Sequence, residues 1–284
     1  IEESVALADA FRRMGRIYQA GTQRRSIGNF QFAADLVATG KLGKLKTVHA
    51  NTLNPATSHH WLPAEPQPAA DEVDWDMWLG PCPWRPYNHV YVRGRWRGVY
   101  DFHTSCIGEW GAHTFAQAQM GLGCSESSPV AYEYVDNISG DEMVCHFASG
   151  VKMVLSRGNK YWRGSCGERF DGTEGWVAAA DRYTRPEVSN PAILGEFKRV
   201  VDEYSLRTGR PFNHMRNFLD CVRSRQQTVA NPRVMHHSMS TVHGANICMW
   251  LKRDLRFDPA TERFVNDDEA NKLLSRAMRE PYTY

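Results

Sequence analysis

No run of about 18 consecutive apolar residues occurs in this 284-residue chain, so the sequence holds nothing long enough to cross a bilayer as a helix. An excess of one charge is also missing. The 34 basic and 32 acidic residues leave a formal net charge of +2, too small to point to nucleic acid or an anionic membrane surface as a partner. No Cys-x-x-Cys pair is present: the cysteines stand apart at 82, 106, 124, 145, 166, 221 and 248. That scatter argues against a disulfide framework or a cysteine zinc site and suits free thiols in a reducing compartment. Neither a G-x-x-x-x-G-K-[ST] loop, nor an internal repeat, nor a low-complexity segment is found. The opening "IEESVALADAFRRMG" lacks the apolar stretch of a secretory signal. A cytoplasmic location is therefore expected, with export left open because any signal would lie upstream of Ile1.

What is present is patterned. Residues 2–14 read as a helix, with Glu2 and Glu3 at its start and Gly15 after its end. "RIYQAG" (16–21) reads as a short strand, and "FQFAADLVATG" (30–40) as a second helix stopped by Gly40. A helix followed by a strand is the second half of a βαβ unit, so the chain is expected to begin inside a domain. "KLKTVHANTL" (44–53) alternates as a strand. From Pro55 to Tyr87, Trp and Pro recur with little Gly or Ser, as in a long loop packed by its own aromatics. A helix is expected over 105–120. Alternating runs follow at 129–135, 142–148 and 151–157, the last two joined by the tight turn "SG". Residues 175–183 read as a further strand candidate, and 212–224 and 232–253 read as helices, with Met235, Met239 and Met249 as core residues. The expected architecture is α/β with α+β: a large, open, mainly antiparallel sheet covered by helices.

The chemistry concentrates in "CIGEWGAHTF" (106–115). On a continuous helix Glu109 and His113, four apart, share a face, and a carboxylate beside an imidazole suits proton transfer near neutral pH. The same spacing also suits a plain surface pair. A metal reading through His103, Cys106, Glu109 and His113 matches no established zinc spacing. "HHW" (59–61) and "HH" (236–237) offer at most one ligand per pair, because adjacent side chains point different ways. No metal is expected. "GLGCSE" (121–126) lacks the third glycine of a dinucleotide loop and follows a helix, so it is set aside. "NIS" (137–139) matches a glycosylation acceptor without other support. The arginine-rich "YVRGRWRG" (91–98) suits either an anion or sugar site, or a solvated loop.

"YQAGTQRRS" (18–26) and "FQFAADLVATGKLGKLKTVHA" (30–50), together with "DWDMWLGPCPWRPYN" (74–88), "DFHTSCIGEWGAHTFAQAQ" (101–119), "HMRNFLDCVRS" (214–224) and the closing segment 253–282, resemble the Gfo/Idh/MocA oxidoreductases of bacterial type. The resemblance covers nearly the whole chain. It implies a remnant of an NAD(P)-binding Rossmann domain over 1–41 and a substrate and oligomerisation domain over 42–284. The implied activity is hydride transfer between NAD or NADP and a sugar or polyol hydroxyl, in a homo-oligomer formed through the open sheet. The family's Asp-x-x-x-His pair falls on Glu109 and His113, the acid being one methylene longer here. Gln23 and Arg24 fall where the family approaches the cofactor. Trp96, Arg97, Asp101, His103, His214 and Asn217 are the expected substrate residues. The family's glycine loop and Glu-Lys-Pro lysine have no counterpart in this sequence, so the chain alone is expected to bind dinucleotide poorly. NAD-assisted glycoside cleavage and a non-catalytic binding domain are the alternative readings.

Overall fold

Nine strands hydrogen-bond into one open sheet, set by period-two runs that bury one face. In chain order they are β1 (Leu45–Asn51), β2 (Ala131–Tyr134), β3 (Glu142–His146), β4 (Lys152–Ser156), β5 (Gly167–Gly172), β6 (Trp176–Ala180), β7 (Glu187–Val188), β8 (Leu255–Asp258) and β9 (Arg263–Phe264). The computed structural model describes residues 1–55, 61–136, 142–181 and 185–284. The spatial order is β7-β6-β5-β1-β4-β3-β2-β8-β9, and every neighbouring pair is antiparallel except β1 with β4. The "SG" turn joins β3 to β4 as expected. Gly150 takes φ 82°, a left-handed conformation that costs glycine little, and Phe147 bonds across to Val151.

Helices cover one face. They are α1 (Glu2–Met14), α2 (Gly28–Ala38), α3 (Trp75–Leu79), α4 (Ser105–Glu109), α5 (Gly111–Gly121), α6 (Phe197–Thr208), α7 (His214–Ser224), α8 (Pro232–Leu251) and α9 (Asp268–Lys272). None of the described helices is long and apolar enough to cross a membrane. The start of α1 carries Glu2 and Glu3 and its end Arg12 and Arg13, charges that complement the helix dipole, and Gly15 at φ 57° closes it. α2, α5 and α8 bury Phe30, Phe32, Phe115, Ala118, Val242 and Ala245 against Val48, Ala50, Met153 and Phe170 of the sheet. The aromatic loop builds its own small core. Trp75 stacks on Trp78 at 4.7 Å, and Arg85, 1% exposed, lies over Phe102 at 4.5 Å and Trp61 at 5.0 Å. All seven cysteines are free thiols.

Two expectations change. Residues 16–20 form no strand. A strand exists through its neighbours, and here Ala20 N bonds Ala230 O while Thr228 Oγ1 donates to Tyr18 O, with no ladder beyond them. The single helix expected over 105–120 is broken at Trp110 into α4 and α5.

Close backbone approach is enforced at two helical glycines. A Cβ on Gly121 would lie 2.3 Å from the Phe170 ring, and one on Gly244 would lie 2.2 Å from the Tyr132 ring. The first glycine of "GLGCSE" thus serves packing. Tyr132 is fully buried and its hydroxyl donates to Ser240 O at 2.9 Å, so its ring has nowhere to retreat. Gly244→Ala is expected to destabilise the fold by about 1–3 kcal/mol, as overpacking does. Thermal unfolding checks this, and an unchanged Tm would show that α8 slides away freely.

Candidate active site

His113 stands in the first turn of α5 and borders a hollow of about 330 Å³. The segment 18–22 supplies one wall, with Tyr18, Gly21 and Thr22; α8 supplies another, with Met235 and Ser238. His113 Nδ1 is buried without a hydrogen-bond partner. Burial lowers the His113 pKa below the usual imidazole value, Arg24 and His214 lower it further, and Asp181 opposes them. The imidazole is therefore neutral at pH 7 and holds a lone pair that can accept a proton.

Glu109, the expected partner, has other neighbours. The break at Trp110 separates the two helices, and the Glu109 carboxylate lies 3.3 Å from Arg97 Nε and 3.8 Å from His103 Nε2. Arg97 also lies over the Trp96 ring at 4.4 Å, which meets His103 edge-on at 4.8 Å. Thus four sequence-predicted residues, Trp96, Arg97, His103 and Glu109, gather into one partly exposed cluster. Burial lowers the His103 pKa, while Glu109 raises it.

Four other expected residues serve the fold. Arg24 is 2% exposed, ion-paired to Asp181 and packed over Phe30 at 5.4 Å; Gln23 beside it is exposed. Asp101 is ion-paired to the buried Arg85, and its backbone oxygen accepts from Arg276 at 3.0 Å, so it anchors the aromatic loop. His214 Nε2 lies 2.8 Å from Ala20 O, an acceptor only, so that nitrogen carries the proton. Nδ1 then accepts from Ser26 Oγ at 3.0 Å, and the ring clamps the turn that walls the hollow. Asn217 is 3% exposed and accepts from Val229 N at 3.0 Å; it faces the interior, because a buried loop amide needs its oxygen.

Sequence reasoning missed two acids. Asp181 holds Arg24 and also accepts from Ser165 Oγ at 2.9 Å. Glu168, on β5, is fully buried with neither carboxyl oxygen hydrogen-bonded. Burial raises its pKa well above the usual carboxylate range, against the pull of Arg24. Its only local signal was the interruption of an apolar strand face shared with Phe170.

His59, His60 and the "NIS" segment lie outside the described residues. The other histidine pair overturns its expectation. His236 and His237, adjacent on α8, both turn toward Glu262, with ring centroids 4.8 Å apart.

Residues 36–284 match the oxidoreductase family, C-terminal alpha/beta domain, of the Gfo/Idh/MocA group. The chain belongs to this family. No curated protein matches it in sequence. Among solved structures it is similar to the WlbA dehydrogenase from Bordetella pertussis in complex with NADH and UDP-GlcNAcA. That match has 14% identity and a TM-score of 0.59, covering 90% of this chain and 69% of that one. It is also similar to an NAD binding oxidoreductase from Klebsiella pneumoniae, at 14% identity and a TM-score of 0.56, over 90% of this chain and 70% of that one. For myo-inositol 2-dehydrogenase from Lactobacillus plantarum the values are 13% and 0.51, over 91% and 70%. At these identities the likeness is one of fold.

The two arginines beside the expected cofactor position of this Gfo/Idh/MocA chain are not free to hold a dinucleotide's pyrophosphate. Arg24 is spent on Asp181, and Arg25 donates to Val229 O, Ala116 O and Ser125 Oγ. The sequence carries no glycine loop to cradle phosphates at a helix start.

Proposed function

We propose that this chain is the substrate-binding, proton-handling part of an NAD(P)-dependent oxidoreductase acting on a sugar or polyol hydroxyl. Residues 1–41 are read as the end of its nucleotide domain. The observation that carries the reading is His113: neutral, unpartnered at Nδ1 and bordering a hollow of suitable size. A nicotinamide, when bound, supplies the hydride acceptor for the carbon. The chain's own part would be the proton: the His113 imidazole would accept it from the hydroxyl whose carbon the nicotinamide would oxidise. Trp96 offers a face for a sugar ring, and Arg97, His103 and Glu109 offer donors and acceptors for further hydroxyls. The longer Glu, in place of the family's Asp, suits its reach to Arg97. The uncovered sheet face, where Arg169 packs on Trp176 at 4.0 Å, is assigned to contact with a second copy.

The test is a nicotinamide-reduction assay on the natural protein, across a panel of sugars, polyols and glycosides, with released product scored alongside. Net reduction supports the reading; glycoside cleavage without net NADH replaces it with the recycling reaction, and no turnover with any substrate sinks both. The pH dependence adds a check. Because the His113 pKa is lowered, the proton acceptor stays available below pH 6.5, so the acid limb of kcat/KM is expected below that value. An acid limb above pH 7 would contradict the assignment of His113.

A further inference from the structure

A second constellation lies outside this site. His236 and His237 stand in the second turn of α8, both buried, and Glu262 stands in the turn between β8 and β9 at φ 55°. One ligand atom from each lies within 4.8 Å of the other two. His236 Nε2 is 2.8 Å from Glu262 Oε1, and the other Glu262 oxygen is buried without a partner.

Hydrogen-bond accounting sharpens this. Ser4 Oγ is 2.7 Å from Ile1 O, which only accepts, so the single Ser4 proton is committed there. Ser4 Oγ is also 2.9 Å from His236 Nδ1 and must accept from it, so Nδ1 carries the proton. In the neutral ring Nε2 then presents a lone pair straight at a carboxylate oxygen. Two acceptors at 2.8 Å require a positive partner between them, either a proton or a metal ion. The rest of the arrangement favours the metal. A second imidazole, His237, joins the same point, and its Nδ1 is held by Ser128 Oγ at 3.0 Å. His236 thus directs Nε2 to the carboxylate, and both rings give Nδ1 to a serine oxygen. Metal-bound histidines are oriented in this way, the non-ligating nitrogen bonded to a nearby oxygen.

We propose that His236, His237 and Glu262 form a divalent transition-metal site, with zinc as the ion, and that Ser4 and Ser128 orient its imidazoles. Two nitrogens and one carboxylate are a donor set zinc accepts; bond lengths of about 2.0–2.2 Å place tetrahedral donors roughly 3.3 Å from one another, so His236 Nε2 and Glu262 Oε1 open slightly from 2.8 Å while the wider separations, within 4.8 Å, close. The fourth position opens on a hollow of about 880 Å³ that Arg12, Arg16, Asn231 and Arg233 also line. None of these residues enters the proposed oxidoreductase step, so the site stands or falls independently of it.

The test is zinc titration of the chelator-treated chain against a chromogenic competitor, with Co²⁺ as the spectroscopic probe because seven free thiols offer rival ligands. One equivalent is expected to bind, with a Co²⁺ spectrum free of sulfur charge-transfer bands and a zinc-dependent rise in Tm. His237→Ala and Glu262→Gln are each expected to abolish that rise while leaving Tm in chelator near that of the parent chain. Ser128→Ala, which removes no ligand, is expected to weaken affinity about 10–100-fold. Zinc binding unchanged in both ligand variants, thiolate bands in the Co²⁺ spectrum, or no binding of one equivalent would overturn the proposal.

Discussion

Replacing His113 by Ala is expected to lower kcat in the proposed oxidoreductase reaction about 10²–10⁴-fold, the usual worth of a positioned acid–base group. KM changes far less, because the hollow keeps its walls at Tyr18, Thr22, Met235 and Ser238. Folding is expected to survive, since the imidazole is unpartnered at Nδ1 and its removal orphans no other group there. The contrast with Glu109 is part of the expectation. Glu109 lies with Arg97 and His103, so Glu109→Gln raises KM more than it lowers kcat. Steady-state kinetics of the two variants checks both statements. Turnover of His113→Ala within a fewfold of the parent would remove His113 from the chemistry.

Asp181→Asn is expected to cost about 3–5 kcal/mol of stability, the loss typical when one partner of a buried ion pair is removed. The reason is Arg24, whose side chain is 2% exposed and whose Nη1 already lacks a partner. Without Asp181 the guanidinium keeps its burial and loses its counter-charge. Glu168 modifies this result. Its carboxyl is electrostatically coupled to Arg24 and held high by burial, and loss of Asp181, which raises it further, makes its ionisation easier. Glu168 can then take over part of the charge, so Asp181→Asn combined with Glu168→Gln is expected to lose more than the two single losses added. The same substitution withdraws the one acid that supports protonation of His113, so the acid limb of any surviving activity moves to lower pH. Denaturant unfolding of the two single variants and the double variant checks the energetics. Strict additivity would show that Glu168 and Asp181 do not share Arg24.

The sign of the Glu168 contribution follows from its raised pKa. The folded state holds that proton to higher pH than the unfolded chain does, so this group's contribution to stability declines as pH rises above the ordinary carboxylate range. Glu168→Gln alone should flatten that decline.

Much of this protein was legible along the chain because the relevant physics is local. Period-two alternation marked β1, β2, β3, β4 and β6, the Ser-Gly pair marked their tightest turn, and helical spacing marked α1, α2, α7 and α8. Trp and Pro marked the self-packed loop, and His113 stood out in its own ten residues. The short strands β7 and β9 carried too few residues to show a period, and β5, centred on Glu168 and Arg169, broke the apolar pattern through charged residues that the sheet satisfies or buries. Residues 16–21 also read as a short strand, but whether an extended segment becomes one depends on a neighbour it does not contain.

Partnerships across the chain were the part only tertiary structure decided. Arg24 meets Asp181 across 157 residues, His214 meets Ser26 across 188, and Ser4 meets His236 across 232. No local pattern encodes such pairs, because a charged or polar side chain reads alike in sequence whether water or a buried counter-group awaits it. Glu109 and His113 show the limit at short range. Their spacing predicts one shared face, yet the break at Trp110 divides them, one toward Arg97 and His103, the other beside the hollow. His236 and His237 show the reverse, since adjacent side chains that a helix should splay are drawn together by a carboxylate from a turn 25 residues further on.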